Sequence, residues 1–314
     1  MAKRLNLSEF KKRSDLDSAL VVIGHVALVL GPLFLASWIG VSIYWLGSWL
    51  WVGLLMNGLL NLMHECAHYH VFHKRRGSDL LGHWLLGPLL LANFDSYRER
   101  HWKHHLHLGV SGDTKDAYLV DIRGTGLARL MLKCVTLRAA FEKFQVQVEV
   151  KSVEAPPSRV WIGRTLLVQG ALLGILMLVA GPIAGRTVWP WGFLTATLAY
   201  ALVYLYGLAS LTVYAATLRA IAEHQIEAGG ISETGRAALR NFRCGPVAWL
   251  IFGAYGFAEH ATHHREPAIP YYHLSWVTSK LAAVDSELQP RHRYLTEIMT
   301  LAGIRTPDKS PKVN

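Results

Sequence analysis

Nine histidines stand at spacings that suit metal binding. His64 and His68 are four residues apart, in His64-Glu65-Cys66-Ala67-His68. His101, His104 and His105 follow as H-x-x-H-H, and His260, His263 and His264 repeat that pattern. His224 stands alone, directly after Glu223. On a helix, residues four apart share a face, and the residue three along lies close beside them. The chain has 16 histidines in 314 residues. At that frequency chance supplies about 0.04 copies of H-x-x-H-H, so the two present are a signal. Neighbouring imidazoles repel when protonated, so such clusters are useful only with a metal or a spread of pKa values.

Nine imidazoles exceed what one ion holds, since zinc takes about four ligands. Two ions with four or five nitrogens each would use them all. Imidazole suits zinc, copper, iron and nickel alike, so the ligand type leaves the metal open. The first cluster is also a literal H-E-x-x-H, the signature of zinc proteases. A membrane zinc hydrolase would leave both H-x-x-H-H clusters unexplained. His70, His73 and His107 lie near the clusters but off their pattern, and are not expected to be ligands.

Positioning these side chains falls to an all-α membrane fold. Hydrophobic residues make up 52% of the chain, and no Lys, Arg, Asp or Glu occurs between residues 19 and 63. Four segments are apolar over the roughly 20 residues that a bilayer requires. They are residues 19–38, 43–63, 165–183 and 190–214. Tight turns at Gly40-Val41 and at 184–186 join them in pairs, and together hold one basic residue, Arg186. The remaining Lys and Arg lie outside the pairs, which puts the termini and the histidine clusters on the cytosolic side. The same rule accounts for the net charge of +10, so no nucleic-acid partner is expected.

Two shorter apolar runs, 80–94 and 247–258, are too short to span and read as interfacial or packed helices. If the first crossed the membrane, histidines before and after it would face opposite sides. The domain organisation expected is a charged cytosolic tail (1–18), one membrane domain (19–305) and a disordered polar tail (306–314). The first span is too long for a signal-peptide core and reads as a retained anchor. Three scattered cysteines form neither a C-x-x-C pair nor a disulfide framework, which fits a reducing, cytosol-facing environment. The fold expected is four transmembrane helices with a cytosolic helical cap holding a two-metal site.

An H-x-x-x-H followed by two H-x-x-H-H boxes, each after an even number of spans, resembles the membrane fatty acid desaturase and hydroxylase superfamily. Tyr97-Arg98 before the second box agrees, as does Asp113-Thr114-Lys115-Asp116 after it, where relatives often carry Asp-Pro-Asp. Pro267-Ala268-Ile269-Pro270-Tyr271-Tyr272 is similar to the family's ending after the third box. The resemblance runs from about residue 19 to about 274.

It implies two irons with oxygen as co-substrate, held by His64, His68, His101, His104, His105, His224, His260, His263 and His264. Some relatives place an Asn four residues before the lone histidine; here that residue is Ala220, so another group must contribute. Glu65, Asp113, Asp116, Glu223 and Glu259 are candidates to orient imidazoles by accepting their second N–H, or else to pair with Arg98, Arg100 or Arg219. The reaction implied is desaturation of an acyl lipid in a bacterial inner membrane, with the active site on the cytosolic side. The alternative is hydroxylation or ketone formation on an acyl lipid or carotenoid. The ligand set does not separate these; the Pro-Ala-Ile-Pro-Tyr-Tyr ending favours desaturation. No cytochrome-b5-like His-Pro-Gly-Gly segment is present, which implies a separate electron donor such as a ferredoxin.

Overall fold

The computed structural model describes residues 10, 13–108, 113–114, 122–142, 158–224, 239–290 and 293–304. Asp116 and the expected polar tail lie outside the described residues. Among those described, the elements are helices, with no strand. Helices α1 (Asp15–Ile39) and α2 (Tyr44–Ala67) form a hairpin. They are followed by α3 (75–89), α4 (Phe94–His107) and α5 (Leu127–Val135). A second pair follows, α6 (Arg159–Ile183) and α7 (Trp189–His224). The last elements are α8 (246–253), α9 (His260–Arg265), α10 (Tyr271–Leu281) and α11 (Tyr294–Leu301).

Helices α1, α2, α6 and α7 are long and apolar enough to cross a membrane, and coincide with the four apolar segments. Each runs further than its apolar residues, because a helix stops where its backbone bonding stops. Helix α6 starts at Arg159, where Ser158 Oγ accepts the Trp161 N–H at 3.2 Å as an N-cap. Helix α7 continues past Tyr214 to His224, so this helix itself delivers the lone histidine. The apolar window of α2 is 61% buried, against 33% for α1 and 28% for α6, which makes α2 the central helix. Leu20, Ile23, Leu166, Leu167 and Leu178 project outward, as lipid-facing side chains do.

Lipid is as apolar as leucine, so close packing and polar contacts hold membrane helices together. Helix α7 crosses α2 where Gly53 meets Gly207. A Cβ on Gly53 would stand 2.7 Å from Leu211 Cβ and 3.0 Å from the Gly207 carbonyl. Thr212 Oγ1 donates to the Gly53 carbonyl at 2.7 Å beside this crossing. At one end, Arg186 donates from Nη2 to the Ile39 carbonyl at 2.9 Å, joining the two hairpin turns. At the other, the His73 N–H donates to Asp15 Oδ1 at 2.7 Å and the Arg13 N–H to the Tyr272 hydroxyl at 2.8 Å. The start of α1, the end of α2 and the end of α7 thus share the end that carries the histidines.

The two short apolar runs pack against the bundle and are not among the candidate spans. Gln169 Nε2 on α6 donates to the Pro88 carbonyl at 2.8 Å, and Trp161 Nε1 to the Ala92 carbonyl at 3.1 Å. Helix α8 ends at Gly253, and Ala254 is extended, which leaves carbonyls without helical partners. Asn57 Nδ2 meets the Ile251 carbonyl at 2.6 Å, and Asn61 Nδ2 meets those of Phe252 and Ala254 at 2.9 and 3.1 Å. These two asparagines, one turn apart on α2, fix the segment that leads into the third histidine box.

Candidate metal centre

The nine histidines converge in two adjoining groups. In the first, one nitrogen from each of His64, His68, His101, His105 and His263 lies within 4.8 Å of all the others. In the second, His104, His224 and His264 meet on the same criterion, and His260 joins through His224 with Glu223. The groups touch where the His105 and His264 rings stack at 4.3 Å.

Helical geometry explains why the box reads H-x-x-H-H. Residues i and i+4 project along one line of a helix, and i+3 projects to its other side. On α4, His101 and His105 therefore enter the first group while His104 enters the second. On α9 the roles reverse: His263 faces the first group, and His260 and His264 face the second, with ring centroids 4.6 Å apart. One helical turn in each box serves both groups. Asn93 caps α4 by accepting the Asp95 and Ser96 N–H groups at 3.0 and 3.2 Å. Asn241 secures α9, accepting the Thr262 N–H at 3.2 Å and donating to Thr262 Oγ1 at 2.9 Å.

The donors fit metal ions. His68 and His101 Nε2 are 2.7 Å apart, His101 and His105 Nε2 3.0 Å, His105 and His263 Nε2 3.3 Å, and His224 and His260 Nε2 2.9 Å. Two nitrogens bound to one ion at roughly 2.0–2.1 Å would lie about 2.9–3.4 Å apart at right to tetrahedral angles, a range that holds the last three of these separations, with the His68–His101 pair just below it. His264 Nε2 is buried without a hydrogen-bond partner. Burial, and then the neighbouring imidazoles of His260, His105, His104 and His224, hold His264 well below the usual histidine range, so it stays in the neutral form that binds metals.

Carboxylates stand behind several rings. Asp113 Oδ1 is 2.7 Å from His104 Nδ1, which turns His104 Nε2 toward the second group. Glu65 lies between two rings, with Oε1 2.8 Å from His64 Nδ1 and Oε2 3.2 Å from His70 Nδ1. Glu223 meets the Tyr294 hydroxyl at 3.0 Å and faces His260 Nε2 at 3.7 Å. Glu259 turns to Ser275 on α10, away from the rings, and burial pushes its carboxyl up to about 7. Of the arginines named as possible partners, Arg98 pairs with Asp79, and Arg219 Nε is 3.8 Å from Glu223. His70 contacts Glu65, His73 contacts Asp15 and His107 is exposed; none of the three enters either group.

The profile of the fatty acid desaturase family matches residues 43–296. The chain belongs to the fatty acid desaturase family. It is therefore an oxidoreductase and, with its four candidate spans, a membrane protein. It is 26% identical over 267 residues to the sn-1 oleoyl-lipid 12-desaturase of Synechocystis sp., covering 82% of this chain and 72% of that protein. Over 96 residues it is 30% identical to the sn-1 oleoyl-lipid 12-desaturase of Anabaena variabilis, covering 31% and 26% of the two chains. A Delta(12) fatty acid desaturase of Mortierella isabellina is 33% identical over 76 residues, covering 24% and 18%.

Within this family member, residues that spacing alone did not single out shape the centre. Tyr294 on α11 bridges Glu223 and the Phe257 carbonyl, at 3.0 and 2.7 Å. Phe257 packs on His64 at 4.7 Å between ring centroids, and the Arg219 guanidinium lies over the Phe257 ring, 4.0 Å from its centroid. Neither residue belongs to a histidine box, and no local pattern marks them.

Proposed function

We propose that this chain is an oxygen-dependent di-iron desaturase that introduces a double bond into an unactivated C–C unit of a lipid acyl chain. The observation that carries the reading is the pair of adjoining groups, five imidazoles beside four, built from three boxes and His224. A structural or hydrolytic zinc is satisfied by about four donors at one point, and a single zinc would leave half of this set idle. The relatives named as 12-desaturases favour desaturation over hydroxylation or ketone formation.

One iron would be held by His64, His68, His101, His105 and His263, and the other by His104, His224, His260 and His264. Bound iron would supply the oxygen activation that removal of hydrogen from an unactivated carbon requires. The protein's part is orientation. Asp113 fixes the His104 tautomer, Glu65 supports His64, and burial keeps His264 neutral.

A lipid substrate would enter from the bilayer. A cavity of about 680 Å³ beside α1 is lined by the apolar Val21, Leu28, Trp249 and Leu250 and by the polar Arg13, Tyr272, Ser275 and Glu259. That mixed lining would suit an amphiphile. A second cavity of about 850 Å³ is lined by His105 and His264, and by Arg265 and Asp285. It would give a separate electron donor, such as a ferredoxin, its approach to the centre. The positive-inside distribution of Lys and Arg supports a cytosolic position for that face, at the inner face of a bacterial inner membrane.

The test is metal analysis of the purified chain together with turnover under air and under argon. About two irons per chain and product only under air support the reading. One zinc per chain, or turnover without oxygen, overturns it.

A further inference from the structure

We propose that Glu223 is itself a ligand of the second centre, binding through Oε2, rather than a carboxylate that only orients an imidazole. The proposal rests on the two-ion reading above. Glu223 is 1% exposed and offers an oxygen within 4.8 Å of the nitrogens of both His224 and His260. Its two oxygens have different surroundings. Oε1 is 3.0 Å from the Tyr294 hydroxyl, and Oε2 faces His260 Nε2 at 3.7 Å. Donors on one ion at about 2.1 Å, separated by an open angle near 120°, lie about 3.6 Å apart. The carboxylate is thus anchored by one oxygen and presents the other to the imidazoles.

The donor count agrees. The first centre has five nitrogens and the second four; Glu223 brings the second to five. It also answers the departure at Ala220, whose methyl cannot bind a metal. Glu223 lies three residues later on α7, on the same side of the helix. Arg219 is the competing partner. Its Nε stands 3.8 Å from Oε2, while Nη1 is engaged by Asn61 Oδ1 and the guanidinium lies over the Phe257 ring. At that distance the contact is longer than a hydrogen bond, and Oε2 stands as near to His260 Nε2 as to Arg219.

The experiment is an anaerobic cobalt(II) titration of the detergent-solubilised full chain in a His68→Ala background, which weakens the first centre. Binding affinity and the visible d–d absorption are read together, because d–d bands strengthen as coordination number falls. Loss of an orienting partner costs roughly 10–100-fold in affinity. For a direct ligand, adding Glu223→Ala should weaken the second centre by more than about 100-fold and intensify the bands of the cobalt that still binds. Glu223→Gln, which keeps the shape and the Tyr294 contact, should fall between. Tyr294→Phe should weaken binding modestly with no change in band intensity, as expected of a positioning residue. If Glu223→Ala and Glu223→Gln both leave the d–d spectrum unchanged, the proposal is overturned and Glu223 is structural. If His68→Ala protein with Glu223 intact binds no cobalt, the two-ion reading fails first and the proposal falls with it.

Discussion

Replacing Asp113 with alanine should loosen one metal centre and spare the other. Asp113 Oδ1 receives the His104 Nδ1 hydrogen at 2.7 Å, with the Asp113 side chain 7% exposed. A charge-assisted hydrogen bond of this kind is worth about 1.5–3 kcal/mol. At about 1.4 kcal/mol per tenfold, its loss should weaken the centre containing His104 by roughly 10–100-fold, the range typical of groups that orient metal ligands. The centre of His64, His68, His101, His105 and His263 should change little. Asp113→Asn keeps an acceptor without the charge and should cost less. The assay is a two-step iron(II) titration against a chromogenic chelator, followed by turnover at saturating metal. Equal weakening of both steps, or no change beyond about twofold at the His104 step, would refute this account of the site.

Other consequences follow from the same geometry. Gly24 faces open space on the wall of the α1 cavity; Gly24→Phe should raise the apparent KM for lipid while leaving metal content unchanged, checked by turnover and metal analysis of one preparation. Glu259 has its carboxyl raised from 4.5 to about 7 by burial. Folding therefore takes up a proton between those values, and stability falls as pH rises through that window. Glu259→Gln should then gain up to about 3 kcal/mol above pH 7 and nothing below about 4.5, read as melting temperature against pH. Gln169 receives the Tyr200 hydroxyl at 2.7 Å and donates to the Pro88 carbonyl and the Tyr204 hydroxyl at 2.8 and 2.9 Å. Gln169→Leu should cost about 1–3 kcal/mol by stranding these groups, seen as a lower melting temperature in detergent.

The nine histidines were legible because their signal is local: spacings of three and four residues describe one helical turn. The four spans were legible because lipid demands long uncharged runs. Where each helix ends was not, since α7 passes from apolar residues into Arg219, Glu223 and His224 without a break in backbone bonding. The division of each box between two groups could not be read either. Helical spacing sets His104 apart from His101 and His105, but which group each joins depends on the partners that α2, α7 and α9 bring to the centre. Glu259 shows the limit of adjacency. It precedes His260 in sequence, yet the turn of the chain there sends its side chain to Ser275. Tyr294, Asn57 and Asn61 act on groups 37 to 194 residues away, and their spacing carries no trace of that.

Whether this chain desaturates a lipid is decided by lipid mass spectrometry in a desaturase-poor bacterial host, comparing the wild-type chain with His264→Ala. A new acyl species lighter by one pair of hydrogens is expected in wild-type cells and absent with His264→Ala. A species heavier by one oxygen would contradict desaturation and make the same centre a hydroxylase. An unchanged lipid profile, from a chain shown to be folded, iron-loaded and supplied with electrons, would contradict the assignment of a lipid substrate.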